Sequence, residues 1–171
     1  MSVALSPVAA SAAEGSSAEL RVERVDGLSA ITCLRSSGPL RLLSPRMRGP
    51  SAWVYLGSLG GGVVAGDQTS LCAEVGKSAR LFLGSQSSNK LYRSDHRPCS
   101  AHEMTLRIGE GAVAIVAPDV VQAFARSTYR QSQEVHLHPE GGLLLLDWFS
   151  SGRVAQGEKW NFAHLELRNR V

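Results

Sequence analysis

The sequence predicts a mostly β protein of stacked strand layers, β-helix-like or sandwich-like, with at most one or two short helices. Apolar and polar residues alternate over short runs, as in Leu71, Ala73 and Val75 against Cys72, Glu74 and Gly76, the period of two that a strand requires. Glycine-bearing turns separate the runs. A weak repeat adds the layering: residues 72–83 (CAEVGKSARLFL), 104–116 (MTLRIGEGAVAIV) and 135–147 (VHLHPEGGLLLLD) each read as strand, short turn, strand. Their turns, at Gly76, Gly109 and Pro139-Glu140, recur at roughly 30 residues, a spacing at which each layer can bury the face its neighbour exposes.

Taken in chain order, residues 1–18 are rich in Ala and Ser and carry no Lys or Arg. They lack the marks of a secretory or organelle signal and read as a disordered leader of a cytoplasmic protein. A single β domain is expected over residues 19–171. Leu20, Val22 and Val25 form a strand before an Asp26-Gly27 hairpin turn. Residues 39–50, with three prolines, read as an irregular connection, after which Trp53, Tyr55 and Leu56 resume a strand.

The run GGGVVAGDQ at 60–68 would let another segment approach closely at Gly60, Gly61, Gly62 and Gly66. It does not read as a nucleotide site, because a strand pattern follows it where a phosphate-binding helix would be needed. Gly76-Lys77-Ser78 also fails as a phosphate loop, since Leu71 stands where its first glycine should be. Residues 118–131 are ambiguous: Val120, Val121, Phe124 and Ala125 fit one face of a short helix after Pro118. From Ser127 to His138 a strand is expected, with Tyr129, Gln131, Gln133, Val135 and Leu137 on one side. GLLLLDWF then reads as a strand buried on both faces.

Composition narrows the function classes. With 171 residues, 43% hydrophobic and 19% charged, the chain suits a soluble globular domain. A net charge of +3 with scattered arginines argues against a nucleic-acid partner, and no apolar run approaches the length of a membrane helix. Cys33, Cys72 and Cys99 are too few and too widely spaced for a disulfide framework and fit reduced thiols.

Candidate chemistry is sparse. Asp147 follows four leucines, so its carboxylate needs a partner at the rim of a strand, and Arg153 in the next turn is the candidate. Glu158 lies beside the turn residue Gly157 and before Trp160. A metal could be offered His136 and His138, two apart on one strand face, or the loop DHRPCSAH with Asp95, His96, Cys99 and His102. No nucleophile elbow, zinc-protease helix or kinase signature occurs, which favours a binding or scaffold role over catalysis.

Five segments in order, GGGVVAGDQ, SQSSNKLYRS, PDVVQAFARSTYRQ, LDWFSSGR and GEKWNFAHLELRNRV, resemble the urease accessory protein family UreD, also called UreH. The resemblance implies a mostly β fold of stacked layers and a non-enzymatic part in nickel insertion into urease. Its expected partners are the urease apoprotein and the UreF-like and UreG-like accessory proteins. No cofactor is expected to be tightly bound, and nickel only transiently. Asp67, Asp147 and Glu158 become candidates for lining a metal passage, and Gly60, Gly61, Gly62, Gly66, Tyr92 and Arg153 for turns and packing. Family members run on further, so the domain is expected to be incomplete at its C-terminus. The alternative is a stand-alone nickel or transition-metal-binding protein using the Asp95–His102 loop with His136 and His138.

Overall fold

The computed structural model describes residues 15–46, 49–95 and 98–171. β1 (Ser16–Val25) and β2 (Leu28–Ser36) form a hairpin through Asp26-Gly27, and β3 (Leu40–Leu43) pairs antiparallel with β4 (Ala52–Ser58). Three rungs follow. The first is β5 (Gln68–Val75), β6 (Arg80–Ser85) and β7 (Asn89–Leu91); the second is β8 (Ser100–Ile108), β9 (Val113–Ala117) and β10 (Val121–Ala123). The third is β11 (Thr128–Leu137), β12 (Gly142–Leu145) and β13 (Phe149–Ser150), and β14 (His164–Arg170) returns to the first face.

Equivalent strands of successive rungs pair in parallel. The orders are β14-β11-β8-β5-β1-β2, β12-β9-β6-β4-β3 and β13-β10-β7. Three sheets wound around one axis make this a β-solenoid, so the layered reading of the repeat holds and a sandwich is excluded.

The turns stack as the strands do. The Gly76 N–H donates to Val22 O, the Gly109 N–H to Val75 O and the His138 N–H to Ile108 O, all at 2.8–2.9 Å and each one rung further along. One bond repeated at each layer fixes the register, which a strand period of two otherwise leaves free to slip. Inward positions then coincide: Leu71, Ala73 and Val75 face the interior beside Met104, Leu106 and Ile108, opposite Leu81, Leu83, Ala114 and Val116.

Four expectations need correction. Residues 39–50 are not wholly irregular, because Leu40 and Leu42 are buried as β3 and help close one end of the core. The candidate helix after Pro118 is instead β10, whose Val121 and Ala123 alternate inward between β7 and β13. Lateral pairing to two rungs outweighs a helical spacing of only four residues. The leucine run is not buried on both faces: β12 is an edge strand, and Leu144 and Leu146 are 54% and 42% exposed. Finally, β1 begins at Ser16, inside the stretch read as a leader, while residues 1–14 lie outside the described residues. The only helical element among the described residues is a three-residue 3-10 turn, Val154–Gln156.

Candidate functional site

The three rung strands of the long sheet start polar and end apolar on their inner faces. On β5 Thr69 precedes Leu71, Ala73 and Val75; on β8 His102 precedes Met104, Leu106 and Ile108; on β11 Tyr129, Gln131 and Gln133 precede Val135. The apolar ends merge into the main core, whereas Leu91, Val121, Ala123 and Tyr129 form a second apolar cluster. A cavity of about 130 Å³ lies in the interior where the polar ends meet, its lining running from exposed Ser58 and Gly61 to buried Met104 and Tyr129. Polar side chains from three rungs stand here among apolar ones such as Leu83, Met104 and Val116.

Register builds the polar wall. Thr69 is opposite His102, and His102 is opposite Gln131, so the three form one row across three rungs. Asp147, just beyond β12, reaches this row from the facing corner. Its Oδ1 accepts from Gln131 Nε2 at 3.2 Å and its Oδ2 from Asn169 Nδ2 at 2.9 Å. A carboxylate only accepts, so both amide nitrogens must face it. That leaves Gln131 Oε1 to accept from the Tyr129 hydroxyl at 3.3 Å and Asn169 Oδ1 to accept from Gln133 Nε2 at 3.0 Å. Burial first, and then the negative charge of Asp147, push the Tyr129 phenol well above its usual pKa.

The expected partner of Asp147 was Arg153. The structure gives it two amides instead, and joins Arg153 to Glu158. Arg153 Nε donates to Glu158 Oε2 at 2.9 Å, the Ala125 N–H donates to the same oxygen at 3.1 Å, and the guanidinium stacks 4.3 Å from the Phe124 ring centroid. The hydrogen bond from Arg153 is the main cause holding the Glu158 carboxyl down at about 2. Glu158 stands outside the cavity lining.

Asp67 does line it. Its Oδ2 accepts from the Val64 N–H at 2.8 Å, closing the turn that leads into β5. Asp119, which the sequence did not single out, lines the cavity too and accepts from Ser85 Oγ at 3.1 Å. The lining thus holds three carboxylates, Asp67, Asp119 and Asp147, and neither Lys nor Arg.

The glycine run forms part of the wall through Gly61 and Gly62, and it leads into a strand. A Cβ on Gly62 would sit 2.5 Å from Lys90 O and 2.8 Å from the Tyr92 ring, so only glycine allows the Val63 N–H to reach Lys90 O at 2.8 Å. Tyr92 packs edge-on against Phe124, with ring centroids 5.6 Å apart. Gly60 and Gly66 take positive φ, at 109° and 88°, and turn the chain on either side.

The proposed metal ligands are dispersed. His102 points into the cavity, with Nδ1 2.8 Å from Thr69 Oγ1; enclosure by the walls pushes its pKa down to about 4, so the imidazole is neutral. Cys99 is half-buried with its Sγ directed at Ser100 O, and Asp95 is engaged by Arg93 and Arg126. His96 lies outside the described residues. His136 and His138 are exposed; His136 lies 3.9 Å from Glu134, and His138 Nδ1 accepts from the Glu140 N–H at 3.1 Å. Among the described residues no three His, Cys, Asp or Glu side chains gather to hold one metal ion.

A family model described as UreD urease accessory protein matches residues 14–171. The chain belongs to the UreD urease accessory protein family. It is 36% identical over 167 residues to urease accessory protein D of Oryza sativa subsp. indica, covering 95% of this chain and 55% of that protein. It is 39% identical over 160 residues to urease accessory protein UreD of Sorangium cellulosum, covering 94% and 51%. With urease accessory protein UreD of an Anaeromyxobacter strain the identity is 41% over 150 residues, covering 88% and 50%. The chain spans about half the length of these curated UreD relatives. No helix among the described residues is long and apolar enough to cross a membrane.

Proposed function

We propose that this chain forms the solenoid body of a urease accessory scaffold, and that its cavity is part of a conduit along which nickel passes on its way into the urease apoprotein. The observation that carries this reading is the charge of the lining: three aspartates and neither Lys nor Arg, inside a protein whose net charge is +3. Negative groups on low-dielectric walls concentrate cations against the overall charge of the molecule. Oxygen donors already engaged in hydrogen bonds would hold a borderline ion loosely, as a conduit requires. The names of the relatives support a urease accessory role; under this proposal the chain acts in the cytoplasm together with UreF-like and UreG-like proteins.

The alternative of a stand-alone metal-binding protein draws less support, since His102 faces inward while His136 and His138 lie on the exterior. Co-expression with urease and its other accessory proteins tests the proposal. Asp147→Ala is expected to lower the nickel content of purified urease while co-purification of the complex persists. Unchanged nickel content in both Asp147→Ala and Asp119→Ala would refute the conduit.

A further inference from the structure

Oxygen donors alone make a poor filter for nickel, because magnesium and calcium prefer the same hard ligands. His102 is the one imidazole in the cavity's described lining. Its orientation is fixed from behind. Thr69 Oγ1 lies 2.8 Å from His102 Nδ1 and 3.3 Å from Ala101 O. A hydroxyl has one proton to give; once that proton goes to the carbonyl, the oxygen is left to accept from Nδ1–H. In that arrangement the lone pair is on Nε2, and no described residue hydrogen-bonds that atom.

We propose that His102 Nε2 is a nitrogen ligand for nickel inside the cavity and makes the passage select a nickel-class ion over magnesium and calcium. The inference rests on the conduit reading and adds its selectivity. Imidazole suits nickel and raises affinity for later first-row divalent metals, whereas a hard cation gains little from it. A single strong donor, with water and neighbouring oxygens completing the shell, releases the ion again. This is consistent with the absence of any three-residue His, Cys, Asp or Glu cluster among the described residues. Thr69 acts behind the ligand as a positioning residue, holding the ring and its tautomer.

The test is nuclear magnetic resonance of the full chain with ¹⁵N-labelled histidine, the His102 ring signals being assigned by their loss in His102→Gln. Nitrogen shifts should report the Nδ1–H tautomer. Nickel ion added over a large excess of magnesium should broaden the His102 signals, and magnesium alone should leave them sharp. Thr69→Val should weaken the nickel effect about tenfold. His102 signals that stay sharp at nickel concentrations broadening His136 and His138, or an Nε2–H tautomer, overturn the proposal. Urease loading separates this site from the conduit. Sharp His102 signals with loading lost in Asp147→Ala would sink the ligand and keep the conduit. Broadened signals with loading intact in Asp147→Ala and Asp119→Ala would keep the ligand and sink the conduit.

Discussion

The two halves of the solenoid interior share strands and register but differ in what they enclose. Toward the stacked glycine turns, Val75, Leu106 and Ile108 meet Leu81, Ala112 and Ala114 with almost no exposure. Toward the opposite ends of the same strands, Thr69, His102, Gln131 and Gln133 surround open space with Asp147. A dry half that packs tightly supplies the stability, and a more polar half whose hydrogen-bonding groups satisfy one another keeps a space open. The difference teaches that the cavity is a property of which residue occupies each inward position, since backbone geometry is common to both halves.

Substitutions can break this contrast, beginning with the dry half. Leu106→Ala removes a fully buried side chain and is expected to destabilise by about 3 kcal/mol in urea denaturation. Gly62→Ala, at the cavity wall, is expected to cost about 2 kcal/mol, because its Cβ meets backbone oxygen rather than a yielding side chain. In the polar half, Gln131→Leu takes one donor from Asp147 and the acceptor of the buried Tyr129 hydroxyl, and should cost about 1–2 kcal/mol. Adding Asp147→Leu should recover the part of that loss that comes from Asp147, and not the part from Tyr129, a coupling that a double-mutant cycle would read.

The Arg153–Glu158 pair offers a pH test outside both halves. The Glu158 pKa falls on folding from 4.5 to about 2, so the unfolded chain binds the extra proton in that window. Its contribution is present above about pH 4.5 and lost as pH falls toward 2. Arg153→Gln should therefore flatten this part of the acid limb of the stability curve. The smallest effect is expected outside the walls: Ile115→Thr, on the outer face of β9 beside Phe82 and Leu144, should change stability by no more than about 0.5 kcal/mol.

Much of the dry half was legible in the sequence, because strict alternation at Leu71, Ala73 and Val75 and recurrent turns at Gly76 and Gly109 are local signals. The polar half was legible in part. Tyr129, Gln131 and Gln133 could be placed on one face, but the row of Thr69, His102 and Gln131 exists only through pairing between rungs, which no short window contains. Asn169 gave no signal at all, since its role depends on β14 lying beside Gln133. Arg153 was assigned to Asp147 because both carboxylates are near it in the chain; the turn around Gly157 brings Glu158 to it instead. The leucine run misled because four leucines look alike in a core strand and an edge strand.

The antiparallel course of β2 and β3 gives the stack a floor. A parallel ladder presents the same polarity at every level and so invites another layer, yet on this side two sheets finish with strands running the opposite way. At the opposite pole β12, β13 and β14 keep the parallel sense of the rungs beneath them, so the two ends of the described stack differ in strand direction.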